Sequence, residues 1–341
     1  MKKVLCFGEL LLRLSPVLNG DWLRKHNTPI FPGGAELNVA MALSRWNLKV
    51  KYITALPDHY LSHEVLAHLQ QQGIDTSGIV FSGRRIGTYY LPIGQDLRHT
   101  DVIYDREHSA FSEIKTGMIN WDELFDQVGW FHFSAICPAL NENVAEVCEE
   151  ALQVAAKKGI RISLDLNYRA KLWQYGKNPV DIMHRLLPHC HLIMGNIWSA
   201  NTLAGIPVDA NIHQGANQDT YLDHAAKTAT AIKQAYKNCE TVALTYRFEK
   251  GEGIDYFGTL HLANGDYCSP LFSTPHVLDR VGSGDCFMAG LIYGIYNEHR
   301  PHHVISFAAA AAFGKLQEYG DATYQTIAEV ESLLKAYEYY I

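Results

Sequence analysis

Asp279-Arg280-Val281-Gly282-Ser283-Gly284-Asp285 runs directly into an apolar stretch that opens at Cys286. Glycines at 282 and 284 let the backbone turn tightly and aim amide N–H groups at a ligand. A helix starting at Cys286 adds partial positive charge at the same point. Gly282, Ser283 and Gly284 are therefore predicted to form an anion hole suited to phosphate oxygens. A carboxylate at Asp285 is placed to take a proton from a hydroxyl while the amides stabilise a transferring phosphoryl group. The same residues also read as an acid capping a helix after a glycine turn, and local physics alone does not choose between the two. The segment is not a P-loop, because G-x-x-x-x-G-K-[ST] occurs nowhere in the chain, and it lacks the G-x-G-x-x-G dinucleotide spacing.

Such a loop needs a scaffold, and the chain supplies strand and helix patterns in alternation. Val4–Phe7 reads as a short apolar strand ending at Gly8, and Asn38–Trp46 as a helix entered through Pro32-Gly33-Gly34. Val50–Ala55 reads as a strand and Leu61–Gln71 as a helix closed by Gly73. Further strands are predicted at Trp130–Ser134, Ile160–Leu166, Leu192–Met194 and Thr241–Thr245. Further helices are predicted at Asn143–Lys158, Thr220–Tyr236 and Cys286–Tyr296. Alternation of this kind argues for a parallel sheet flanked by helices. Two segments break the pattern: Leu11–Phe31, and Thr88–Tyr104 with turn residues at Gly94-Gln95-Asp96. They read as antiparallel strands outside the main sheet, either a small β layer covering a site or a plain edge hairpin. Asn211–Asp219 reads as a polar loop.

Composition narrows the function classes. The 341 residues are 48% hydrophobic and 19% charged, ordinary for a globular enzyme. A net charge of -7 argues against a nucleic-acid binder. No stretch approaches the roughly 20 apolar residues of a membrane helix. Glu9 and Arg13 interrupt the apolar start, which favours a buried first strand over a signal peptide. The seven cysteines are scattered and form no C-x-x-C pair, so neither a disulfide framework nor a zinc site is expected, and the predicted compartment is the reducing cytoplasm.

Asp279–Asp285 with Cys286-Phe287-Met288-Ala289-Gly290 resembles the C-terminal signature of the PfkB, or ribokinase-like, carbohydrate kinases, D-x-x-G-A-G-D-x-F-x-A-G. Ser283 stands at the usual alanine. Gly33-Gly34-Ala35-Glu36-Leu37-Asn38-Val39-Ala40 resembles the N-terminal signature. With one signature near each end, the resemblance covers nearly the whole chain. It implies a single domain, 1–341, built as a three-layer α/β/α sandwich with a mostly parallel central sheet. It also implies a small β-strand lid, with segments at about 11–31 and 86–108. ATP with Mg²⁺ is the implied phosphoryl donor, and Asp285 the implied catalytic base. The resemblance places Gly33, Gly34 and Asn38 on the sugar, where glycine admits a polyol and Asn38 offers both donor and acceptor. Lids in this family often pack against a second copy of the chain, so a homo-oligomer falls within what the resemblance implies.

Three further stretches are similar to the branch that phosphorylates 2-keto-3-deoxygluconate. They are Tyr104-Asp105-Arg106-Glu107-His108-Ser109-Ala110, His132-Phe133-Ser134-Ala135-Ile136, and Asp165-Leu166-Asn167-Tyr168-Arg169 with Leu172-Trp173. They imply Tyr89, Tyr104, Arg106, Ile136 and Arg169 around the substrate, two arginines suiting its carboxylate. Surface arginines paired with Asp105, Glu107 or Asp165 are the alternative. Asn167, Asn196, Thr245 and Arg247 are expected on the nucleotide side. Asp321 is expected to touch the substrate or a cation site, or else to cap a helix.

The chain also departs from the family pattern. Asn196 matches an N-x-x-E stretch that organises magnesium, but Ser199 stands where the glutamate is expected. Tyr246–Gly251 is longer and bulkier than the glycine-containing turn expected after Thr245. Two rivals follow: a PfkB kinase for fructose, a pentose or a sugar phosphate, and a sugar-acid-binding protein without transferase activity.

Overall fold

The computed structural model describes residues 2–18, 20–92, 102–209, 212, 218–251 and 253–338. In the first strand, Lys3–Phe7, alternate side chains point to opposite faces of the sheet. Leu5 and Phe7 enter one core; Val4 and Cys6 enter another. A strand apolar on both faces needs cover on both sides. Helices Glu142–Lys157, Pro179–Leu186, Ile197–Ala204 and Gln218–Ala235 contribute to the first core. Helices Ala35–Arg45, Tyr60–Gln71, Ser283–Tyr296, Pro301–Lys315 and Ile327–Glu338 contribute to the second.

Among the described residues, the sheet between them has ten strands. Along its main path they run Gly265–Cys268, Gly253–Leu262, Thr241–Lys250, Leu192–Gly195, Arg161–Asp165, Val128–Ser134, Lys3–Phe7, Val50–Ile53 and Ile74–Asp75; Phe272–Thr274 also pairs with Gly253–Leu262. Pairing is parallel from Thr241–Lys250 through to Ile74–Asp75 and antiparallel beyond it. The expected three-layer ribokinase-like sandwich with a mostly parallel sheet is what the chain forms. Parallel strands deliver their C-terminal ends, and the loops that follow, to one edge of the sheet, where open α/β folds bind ligands.

A separate four-stranded sheet, ordered Ile30–Gly33, Leu11–Leu14, Gly87–Tyr90, Ile103–Asp105, forms the expected small β layer. Its pairing corrects the sequence reading in one respect. The outer pairs are antiparallel, but Leu11–Leu14 and Gly87–Tyr90 run parallel, with Arg13 opposite Tyr89. The predicted turn Gly94-Gln95-Asp96 lies outside the described residues, as does most of the Asn211–Asp219 loop, whose last two residues already belong to the helix opening at Gln218.

Tyr246–Gly251 is not a bulky loop, as the sequence reading had it. Strand Thr241–Lys250 continues through it and pairs with Gly253–Leu262, Arg247 opposite Tyr256 and Lys250 opposite Gly253. The cause is a period of two. Tyr246 and Phe248 stack on Phe257 on one face, while Arg247 and Glu249 occupy the other.

Candidate active site

Helix Ser283–Tyr296 begins one turn earlier than predicted, because Gly282 takes the N-cap with φ 79° in the left-handed region. A Cβ on Gly282 would lie 1.9 Å from the carbonyl oxygen of Asp321, so only glycine fits. Ser283 ties down the helix start: its Oγ donates to the Ala312 carbonyl at 2.9 Å. Gly284 is different. A Cβ there would meet nothing within 4 Å, and its φ is unexceptional. The protein itself does not require glycine at 284.

Asp285 follows in the first turn, buried, and accepts from Asn38 Nδ2 at 2.7 Å. Burial pushes its carboxyl up to about 6; the Asn38 hydrogen bond pulls down, the Glu36 charge pushes up, and Arg169 and Lys315 pull down. Asp165, at the end of strand Arg161–Asp165, is driven well above the carboxylate range by burial and by the Asp285 charge. Asn38 Oδ1 and the Tyr256 hydroxyl are buried with no hydrogen-bond partner among the described residues. Unmet polar groups of this kind call for a polar ligand or water.

These residues line a cleft of about 930 Å³ beneath the small sheet. The cleft wall includes most of the residues singled out from sequence: Gly34, Asn38, Tyr89, Tyr104, Arg106, Ile136, Asn167, Arg169, Asn196, Thr245, Arg247, Gly282, Ser283, Gly284, Asp285 and Asp321. Gly33 is not in the wall. It backs Asp321, whose Oδ1 would lie 2.2 Å from a Cβ at 33.

Three side chains behave differently from expectation. Arg106 is not an open fork, because Glu9 engages its Nε at 2.7 Å and also one of its Nη groups. Asp105, the surface partner considered for Arg106, pairs instead with Arg85 at 2.8 Å. Asn196 caps helix Ile197–Ala204: its Oδ1 accepts from the Ser199 N–H at 2.8 Å, while Ser199 Oγ accepts from the Asn196 N–H at 2.9 Å. Ser199 thus fills the reciprocal place of a capping box, normally held by Glu or Gln. Asp321 caps no helix. It accepts from Tyr89 Oη and from Arg13 Nη1 (3.3 Å), and burial pushes it up to about 6 against the pull of Arg13. Arg13, fully buried, also donates to Asp279 at 2.8 Å, so the parallel register that sets Arg13 beside Tyr89 fastens the lid to both acids.

The sequence reading missed Glu9, Glu36, Tyr256 and Arg280 in the cleft wall. Glu36 accepts from the Ser134 N–H at 2.8 Å and from the Cys137 thiol, and burial raises its pKa. Arg280 donates to Glu249 at 2.8 Å. The arrangement brings a buried carboxylate, a helix N-terminus and a glycine opening to one point. That combination is chemically able to accept a proton and to stabilise anionic oxygen at the same place.

Among the described residues, no helix is long and apolar enough to cross a membrane. The pfkB family carbohydrate kinase profile matches residues 1–327. The chain is 30% identical over 334 residues to a 2-dehydro-3-deoxygalactonokinase of Haloferax volcanii, covering 98% of this chain and 96% of that one. It is similar to the crystal structure of 2-dehydro-3-deoxygluconokinase from Thermotoga maritima, with TM-score 0.89 and 34% identity, covering 98% of this chain and 100% of the other. A PfkB family carbohydrate kinase from Listeria grayi superposes with TM-score 0.85 at 30% identity, covering 98% and 100%. The chain therefore belongs to the pfkB family of carbohydrate kinases and is an ATP-dependent sugar kinase.

Proposed function

We propose that this kinase transfers the γ-phosphoryl group of ATP to the primary hydroxyl of 2-keto-3-deoxygluconate, giving the 6-phosphate and ADP, with Asp285 as the base. The observation that carries the reading is the buried Asp285 carboxylate beside the Gly282–Gly284 helix start, with an unmet acceptor on Asn38 next to it. The hydroxyl proton goes to Asp285 as its oxygen attacks the γ-phosphorus. The bond to the β–γ bridging oxygen breaks, and ADP leaves with that electron pair. The amides of 282–284 hold the equatorial oxygens, and the lid strands exclude water, which competes as acceptor. Gly33 supports Asp321, while Gly34, Tyr89, Tyr104, Ile136 and Asp321 shape the acceptor side. Asn167, Thr245 and Arg247 face the nucleotide, and Asn196 shapes that side through the helix it caps.

Among the described residues no three His, Cys, Asp or Glu side chains are grouped to hold a metal ion. Magnesium fits the site as an ion carried on nucleotide phosphates and water, which is its usual habit in phosphoryl transfer. When bound it neutralises charge on the β- and γ-oxygens.

Arg169 supports a sugar acid as acceptor. It lines the cleft, as does Arg106, which pairs with Glu9. The names of the Haloferax and Thermotoga relatives, both kinases of 2-dehydro-3-deoxy sugar acids, support the same class, 2-dehydro and 2-keto being two names for one function. They also make the galactonate epimer the second acceptor to try. ADP release measured with MgATP against both sugar acids, fructose and ribose tests the reading. We expect kcat/KM for a sugar acid to exceed that for fructose by about 100-fold or more. Equal or better turnover of fructose would transfer the chain to another branch. No ADP with any acceptor would favour a binding protein.

A further inference from the structure

Lys315 is the last residue of helix Pro301–Lys315 and has no exposed surface. Lysine is almost never buried to this degree without partners. Its Nζ donates to the Gly320 carbonyl at 2.9 Å and to the Glu318 carbonyl at 3.2 Å. That turn carries Asp321. Its Cε lies 3.4 Å from where a Cβ on Gly282 would sit, directly behind the helix start that forms the anion hole. The turn and the glycine loop are stitched to each other at further points. Gly320 N–H donates to Asp279 Oδ2 at 3.3 Å and Leu278 N–H to the Leu316 carbonyl at 2.9 Å, while within the loop Val281 N–H donates to Asp279 Oδ1 at 3.2 Å.

We infer that Lys315 is a positioning residue for phosphoryl transfer, an internal cation that fixes the Gly282 loop against the 318–321 turn and holds positive charge behind the anion hole. It is not among the residues that line the cleft. The charge acts in two directions. Toward the loop, it adds to the field of the helix N-terminus, where anionic oxygens gather. Toward Asp285, it favours the ionised form that takes the proton.

The charged surroundings are consistent with this role. Burial lowers the Lys315 pKa, while Asp279, Glu318, Cys286 and Asp321 raise it. Asp285 faces Glu36 and Asn38 from helix Ala35–Arg45, Asp165 from the end of strand Arg161–Asp165, Arg169 from the loop that follows it, and Lys315 from behind. Of these, Arg169 and Lys315 are the cations, and Arg169 lines the cleft, open to whatever enters it. Lys315 is thus the cation whose effect on Asp285 does not change when the cleft fills.

The inference rests on Asp285 being the base, and its test keeps the two apart. Lys315→Met removes the charge at nearly constant volume and is assayed beside Asp285→Asn. We expect Lys315→Met to lower kcat about tenfold or more, and the acid limb of its kcat/KM–pH profile to move up by about half a pH unit. A lowered kcat with an unmoved limb would mean a structural role alone and would overturn the inference, as would wild-type kcat and limb together. If Asp285→Asn retained wild-type turnover, the base reading would fall and take this inference with it. An inactive Asp285→Asn beside an unaffected Lys315→Met would defeat the inference alone. Should Lys315→Met not fold, ¹⁵N NMR of the lysine Nζ in the wild-type chain decides. A slowly exchanging ammonium across roughly pH 6–9 supports the internal cation, and a neutral amine contradicts it.

Discussion

Asp285 carries a thermodynamic cost that can be measured apart from catalysis. Its carboxyl is held at about 6 instead of its ordinary 3.8, first by burial. The folded chain therefore binds this proton more tightly than the unfolded chain does. Between roughly pH 4 and 6 the folded state holds the extra proton, so stability falls as pH rises through that window. Above it the full cost remains, on the order of 2–3 kcal/mol for a buried group shifted this far. Asp285→Asn keeps an acceptor for Asn38 and removes the charge. Urea unfolding should find this variant more stable than wild type by about 2 kcal/mol at pH 7.5, with the gain gone near pH 4. A variant less stable than wild type at pH 7.5 would mean that the buried charge is a net asset. Asp321, also held at about 6 by burial, contributes with the same sign. His132 opposes both: burial lowers it to about 3, so it favours the folded state more as pH rises toward its ordinary value.

At the scale of elements, the two glycines before Asp285 do different jobs. Gly282→Ala forces a Cβ to within 1.9 Å of a backbone oxygen at a left-handed residue, and we expect it to cost more than about 2 kcal/mol and to lower expression. Gly284→Ala places a methyl in open space on a helical residue. It should fold as well as wild type, gaining up to about 1 kcal/mol from helix propensity, yet lose about 100-fold or more in kcat. Equal loss of stability in both variants would refute the distinction. Which elements were legible in sequence follows a similar division. The buried strands were plain because apolar residues filled both faces of short runs, and the helix after Asp285 because its run of small and apolar residues was unbroken. Strand Thr241–Lys250 was read too short, since its apolar run stops at Thr245, although alternation of Tyr246, Arg247, Phe248 and Glu249 already spelled a strand. The parallel pairing inside the lid was not legible. Register between Arg13 and Tyr89 is set by what both side chains reach, Asp321, far along the chain. Glu9 and Glu36 escaped for the same reason, their partners Arg106 and Ser134 lying 97 and 98 residues away.

For the whole molecule, one sheet separates two cores and presents its strand ends to a cleft closed by the lid. The small sheet is tied to the glycine loop and the turn after it by charge. Arg13 reaches out of it to Asp279 and Asp321, all three buried. Arg13→Met should leave two acids without their cation, costing about 3–5 kcal/mol in urea unfolding at neutral pH. A loss under about 1 kcal/mol would show that the lid is held by packing instead. The Gly282–Gly284 helix start and the Asn38 hydrogen bond meet at position 285. The most direct test is kcat for Asp285→Asn with MgATP and 2-keto-3-deoxygluconate, with nucleotide affinity measured in parallel. Loss of the base should lower kcat by about 10³-fold or more with ATP affinity within about threefold of wild type. A kcat within about threefold of wild type would contradict the account.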